Sequence, residues 1–424
     1  MAKPSLASQK KVTPENLAGL GAERLAQILV EVAQTRTDLR RRLRMELAAG
    51  LGASALVPEI DKRLATLETS RGQVSWRQKP AVLRDLDALR GLIADRLAAE
   101  APDAALERLW RFLATYPQTG RRLRERDEAF EAIYQAAAAD LGALLAAHDP
   151  NLAANALLEA AVQAPQIWAG WAQRALAPLS RETAAIALTL ARAKSMAAPG
   201  WMVFLRHLAD AAGDVAAYVE THSQSALATP PVAVAVGRRW MAAGLPDAAG
   251  AALRLAAPKP KGLLGRLAAP DFEWESAWID YLAASGQADD AQAVRWASFQ
   301  RTLEVSRAKA YVAQFPDFDD VEAESRVLAL AAAHEDFQKG LAVLMAWPAL
   351  ADASAMILAR GQDVRIDADQ AQAWAAKLRR RFPAAAERLL RRGAATAFRR
   401  GALKVSEQLT EDAEAIAAQA PPGA

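Results

Sequence analysis

Apolar residues recur along this chain at the spacing of helices. Leu25, Ile28, Leu29 and Val32 share one helical face, as do Leu39, Leu43 and Leu47, and again Leu106, Leu109 and Leu113. Polar start and stop signals separate these runs. In Thr13-Pro14-Glu15-Asn16, Thr13 suits an N-cap and Pro14 the first helical position, where its missing N–H costs nothing. Pro102-Asp103 opens another helix and Pro117 closes it. The alternation that marks strands is scarce. Even Pro231-Val232-Ala233-Val234-Ala235-Val236 runs into Gly237-Arg238-Arg239-Trp240 behind a well-placed proline, and so reads as helix. The pattern predicts an all-α chain.

A longer period appears from about residue 146. Paired alanines recur at Ala153-Ala154, Ala184-Ala185, Ala216-Ala217 and Ala248-Ala249, each just after a turn: His148-Asp149-Pro150-Asn151, Pro178-Leu179-Ser180, Gly213-Asp214 and Gly244-Leu245-Pro246-Asp247. A fifth unit, Ala283-Ala284-Ser285-Gly286, arrives late because residues 258–270, rich in Pro and Lys, are inserted as a loop. Small residues at fixed places allow close helix approach. Over residues 146–302 the layout resembles the tetratricopeptide class of helical repeats, an α-solenoid of helical hairpins, with an irregular helical bundle as the alternative. The predicted organisation is a disordered basic tail (1–12), an N-terminal helical region (13–145), the hairpin array (146–302) and a C-terminal helical region with a basic face (303–420).

Composition narrows the function. At 424 residues the chain exceeds one ordinary core, so it holds several domains or an elongated array. It has no cysteine, which removes disulfides, thiolate nucleophiles and the usual structural zinc sites. The N-terminus lacks the apolar run of a signal peptide, and no uncharged apolar stretch is long enough to span a membrane, so a cytoplasmic location is expected. Phe315-Pro316-Asp317-Phe318-Asp319-Asp320-Val321-Glu322, Ala346-Trp347-Pro348-Ala349-Leu350, Arg381-Phe382-Pro383-Ala384-Ala385-Ala386 and the opening Thr13 to Leu43 resemble a bacterial family of uncharacterised all-helical proteins. Some relatives in that family carry a zinc finger. Without cysteine, nothing of it carries over to this chain.

Searches for catalytic patterns are mostly negative. No phosphate-binding loop, dinucleotide fingerprint, nucleophile elbow or His-Glu-x-x-His is present. Ser306-Arg307-Ala308-Lys309 matches Ser-x-x-Lys without its companion motifs. His148, His207, His222 and His334 are never three or four residues apart, so no helix face offers two imidazole ligands. His334-Glu335-Asp336 reads as a helix boundary. Asp317, Asp319, Asp320, Glu322 and Glu324 read as acids at a helix start, with a divalent-cation site as the alternative. No cofactor and no metal is expected.

Charge is nearly balanced at +3, so what matters is where it gathers. Arg40, Arg41, Arg42 and Arg44 scatter around a helix as an ordinary solvated surface. Arg121, Arg122, Arg124 and Arg126 are answered by Glu125, Asp127, Glu128 and Glu131. By contrast, Lys377, Arg379, Arg380, Arg381, Arg388, Arg391, Arg392, Arg399 and Arg400 face a single acid, Glu387. On the helix after Pro383, the arginines at 388, 391, 392 and 399 form one stripe, with Leu390, Ala394, Ala397 and Phe398 opposite. That stripe suits an acidic protein, nucleic-acid phosphate or an anionic membrane, unless acids such as Glu322 and Glu324 pair with it. Trp168, Trp171, Trp201, Trp240, Trp274, Trp278 and Trp296 lie in the repeat region as packing residues, with Trp274 and Trp278 the pair most suited to exposure on a binding face. The expected function is a non-enzymatic scaffold that binds an unidentified protein or peptide on a concave helical surface, with the loop residues Lys259, Lys261 and Arg266 flanking the groove. The second reading is a nucleic-acid-associated protein using the arginine stripe. The third is an enzyme with a carboxylate site at Asp317 to Glu324.

Overall fold

The computed structural model describes residues 11–123, 127–194, 196–261, 266–362 and 364–419. The expected disordered tail lies almost wholly outside these residues, as do Arg124, Glu125, Arg126 and the middle of the inserted loop. Apart from one short β pairing the protein is all-helical, with 78% of the described residues in helices. It divides into two compact units, residues 1–223 and 224–424, a boundary inside the stretch expected to form one repeat array.

The first unit contains α1 Pro14–Ala18, α2 Ala22–Thr35, α3 Thr37–Gly50, α4 Ala53–Thr69, α5 Lys79–Gly91, α6 Pro102–Ala114, α7 Tyr116–Arg122, α8 Glu128–Leu145, α9 Pro150–Gln163, α10 Pro165–Leu176, α11 Arg181–Arg192, α12 Trp201–Ala212 and α13 Val215–Glu220. The helix begun by α5 continues through a π-helical turn, Leu92–Leu97, to Ala98–Glu100. The second unit contains α14 Gln224–Leu227, α15 Pro230–Ala242, α16 Pro246–Leu255, α17 Phe272–Ala284, α18 Ala288–Thr302, α19 Val305–Val312, α20 Asp319–Ala333, α21 Phe337–Ala346, α22 Leu350–Arg360, α23 Ala368–Leu378, α24 Pro383–Arg399 and α25 Leu403–Gln419. Within the inserted loop, β1 Pro260–Lys261 and β2 Arg266–Leu267 pair antiparallel.

Local chemistry sets these limits. Pro14, Pro102, Pro150, Pro165, Pro230, Pro246 and Pro383 each stand first in a helix. The side chains of Thr13, Asp127, Asp149, Ser180, Asp214, Asp271, Asp336 and Asp367 accept first-turn N–H groups. Pro117, expected only to close a helix, also opens α7. Tertiary contacts then use the alanines. Ala153 and Ala154 are both buried, whereas the later doublets bury one residue each: Ala184, Ala217 and Ala249.

In the first unit, helices pack on sequence neighbours and also on the helix two places along: α6 on α8, α8 on α10, α9 on α11 and α10 on α12. Between α8 and α10 the approach is close enough that a Cβ on Gly142 would stand 2.0 Å from the carbonyl oxygen of Ala175. An aromatic cluster sits beside it. Tyr134 stacks on Phe112 at 5.0 Å and on Trp171 at 6.1 Å, and Tyr116 meets Phe130 at 5.3 Å. The second unit has its own cores, one around Trp274, Ile279 and Leu282, the other running from Phe299 to Ala413.

Candidate functional site

The first unit carries an apolar surface groove of about 520 Å³ along α6, α9 and α10. Its small wall comes from α9, where Ala156 and Ala160 lie one turn apart with Gln163 beyond. Its large wall comes from half-buried Trp110 of α6 and Ile167 of α10, with Trp168, only 4% exposed, forming the floor between them. The Trp110 and Trp168 rings meet at 5.7 Å, and Trp168 in turn meets Trp171 edge-on at 5.7 Å, tying the groove to the aromatic cluster beneath. Glu159 is the only charged residue among those lining it. The surface is therefore apolar and aromatic, with one carboxylate at its edge. Sequence reading marked Trp168 only as packing and missed Trp110. The spacing of Ala156 and Ala160 was the available signal, but in a chain this rich in alanine it does not stand out.

The expected site residues all fall in the second unit. Trp274 is only 6% exposed, contrary to the expectation of a free indole. Its ring N–H donates to the carbonyl of Leu253 at 2.9 Å, so it closes the end of α16 from beneath. Trp278 is half-buried. It stacks on Trp274 at 5.8 Å and lies under the guanidinium of Arg254 at 5.5 Å, while Arg254 donates to the Tyr281 hydroxyl. The two indoles are thus shared by packing between α16 and α17.

Behind them is a buried polar tie. The Glu275 carboxylate accepts from Ser298 Oγ at 2.5 Å and from Arg301 at 2.7 and 2.8 Å. Arg307 donates to Ser276 Oγ at 2.9 Å, and burial lowers its pKa. These groups lock α17, α18 and α19 together.

The arginine stripe on α24 is one-sided, as expected: Arg388, Arg391 and Arg399 are exposed and Arg392 is half-buried, while Leu389, Leu390, Ala394 and Ala397 are buried. Its members differ in what they bind. Arg388 donates to the carbonyl of Leu358 at 2.8 Å near the end of α22, and Arg391 pairs with Glu387 at 2.8 Å. Glu324 instead accepts from the Trp347 indole at 2.7 Å, which takes up that carboxylate. Phe398 departs from expectation, being 64% exposed. Gly393 sits against Ala371 and the Asp367 carbonyl, the very start of α23, so the last turn of α24 overhangs its neighbour and leaves Phe398 uncovered.

Other sequence candidates resolve into structure. Asp319, Asp320 and Glu322 occupy the first turn of α20, and His334 to Asp336 separate α20 from α21. Among the described residues no three His, Asp or Glu converge to hold a metal ion. Ser306 and Lys309 are exposed on α19. Of the N-terminal arginines, Arg40, Arg42 and Arg44 are exposed and Arg41 is half-buried. Arg40 donates to the carbonyls of Ala33 and Gln34 at the end of α2, and Arg41 and Arg63 both grip Asp85.

A family model described as a family of unknown function (DUF6880) matches residues 7–170 and 189–402 of the chain. No curated protein matches it at a significant level.

Proposed function

The chain belongs to the DUF6880 family, and from that premise we propose that it is a non-enzymatic, cytoplasmic scaffold built on tetratricopeptide-like helical hairpins, which holds a partner protein in the groove of α6, α9 and α10. The observation that carries this reading is the groove itself: tryptophan and isoleucine face a wall of alanines, with Glu159 as the single charge. The packing of helices on those two places along supports the hairpin-array reading, because such stacking is how helical repeats build long binding surfaces. The occupant that fits is a partner helix with apolar side chains along one face and a Lys or Arg placed to meet Glu159. No membrane-spanning helix is present among the described residues.

The test compares variants of the full chain. Ala160→Arg fills the groove and Glu159→Lys reverses its charge, both at positions that leave the core intact. Proteins co-purifying with the wild type but lost with both variants identify the groove's partner. With that partner purified, each variant should raise Kd about tenfold or more, and the single-charge variant should be rescued by reversing the partner's cation. Co-purifying proteins that are indifferent to both substitutions would refute the groove, and turnover of a small molecule by the purified chain would refute the non-enzymatic reading.

A further inference from the structure

The turn between α24 and α25 combines two chemistries on one exposed tip. Phe398, Leu403 and Val405 are 64%, 61% and 42% exposed, and Arg399, Arg400 and Lys404 are interleaved with them. No acid occurs from residue 398 to residue 405. Among the described residues none of these three cations has a carboxylate within ion-pair distance. Arg399 bonds only within its own helix, to the Ala395 carbonyl and Thr396 Oγ1.

The tip is held in one shape. Gly401 takes φ 77°, its N–H donates to the Phe398 carbonyl at 2.9 Å, and the Ala402 N–H donates to the Ala397 carbonyl at 3.0 Å, the paired bonds of a left-handed helix terminus. Ser406 Oγ donates to the Ala394 carbonyl at 2.9 Å, and Leu409 and Ala413 are buried behind it. The backbone of the turn therefore holds Phe398 and Leu403 on the same exposed tip.

Nucleic-acid phosphate would satisfy the cations and leave Leu403 and Val405 in water. An anionic lipid surface uses both sets: headgroup phosphates meet the cations, and the apolar side chains enter the boundary between headgroups and acyl chains. We propose that the α24–α25 turn docks this protein peripherally on an anionic lipid surface, with Phe398 and Leu403 inserted and Arg399, Arg400 and Lys404 on the lipid phosphates.

Vesicle co-sedimentation of the full chain tests this. Binding should be strong on phosphatidylcholine vesicles containing roughly a third phosphatidylglycerol, weak on phosphatidylcholine alone, and reduced by added salt. Phe398→Ala with Leu403→Ala should weaken it about tenfold or more, and each of Arg399→Glu, Arg400→Glu and Lys404→Glu by about fivefold or more. Circular dichroism should remain that of the wild type, because all five side chains are exposed. Arg24→Glu, the same charge change on α2, should leave binding unaltered. Absent binding, equal binding to neutral vesicles, or equal loss with Arg24→Glu would overturn the proposal. So would indifference to the apolar pair combined with displacement by duplex DNA or RNA, which would assign the tip to nucleic acid.

Discussion

Gly142→Ala is the sharpest probe of the architecture beneath the groove. A Cβ at this position would stand 2.0 Å from the Ala175 carbonyl oxygen and 2.9 Å from its carbonyl carbon. Ordinary contact begins more than an ångström farther out, and the carbonyl of Ala175, in the last turn of α10, is backbone and has no alternative rotamer. The substitution therefore has to drive α8 and α10 apart, loosening the contacts of Tyr134 with Trp171. Helix propensity alone favours Ala over Gly by about 1 kcal/mol. Overpacking against a fixed neighbour costs about 1–3 kcal/mol or more, and here the upper end applies, so the net effect is a loss of about 2 kcal/mol. For a unit of this size that lowers the melting midpoint by roughly 4–8 °C. Thermal unfolding should be followed by circular dichroism, with hydrogen exchange on peptides from α8 and α10 to locate the change, since a chain of two units need not unfold in one transition. Gly170→Ala is the control: it also lies in a helix, with nothing within 4 Å of its would-be Cβ, and it should stabilise by about 1 kcal/mol or less. A Gly142→Ala midpoint that rises alongside that of Gly170→Ala would refute the close approach.

Glu275→Ala should destabilise the second unit by about 2–3 kcal/mol, below the full cost of orphaning a buried pair, because Arg301 is 35% exposed and turns to water; urea midpoints and faster exchange in α17 and α18 report it, and an unchanged midpoint would refute the tie. His148 gives a pH dependence. Its Nδ1 meets the Leu144 carbonyl and its Nε2 meets Asp103, which together raise its pKa above 6.5. A raised folded pKa means the stabilisation is complete below the unfolded value and is lost as pH climbs through the folded one, so this contribution to the first unit should decline as pH rises past the ordinary imidazole value. An NMR titration should place the imidazole above its ordinary value, and Asp103→Asn should bring it down; a His148 titrating at or below 6.5 would contradict the geometry.

Much of the helical layout was readable from residues alone. Thr13 caps α1 and the valine-rich run forms α15, as their local chemistry predicts. Asp336, read at a helix boundary, caps α21, and Asp367, which was not singled out, follows the same capping rule. The site residues were less legible. Trp274 stood out by its place after the inserted loop and Phe398 by its helical phase opposite the arginines, and neither signal says whether a neighbour reaches the side chain. Trp274 meets the end of α16, which its indole closes, whereas Phe398 projects past the start of α23 into water. Arg40 is exposed as expected, and its guanidinium also closes the open carbonyls at the end of α2, which phase alone does not reveal.

By itself, then, the sequence determined that the chain is helical, where many helices begin, and that one face of α24 is basic. Those properties follow from interactions within a few residues: caps, prolines and the 3.6-residue period. Tertiary structure alone decided the division after Ser223, the burial of Trp274, the exposure of Phe398 and the meeting of Trp110 with Trp168 across 58 positions of chain. Each of these depends on helix lengths and crossing points set elsewhere in the sequence, and no local pattern carries that information.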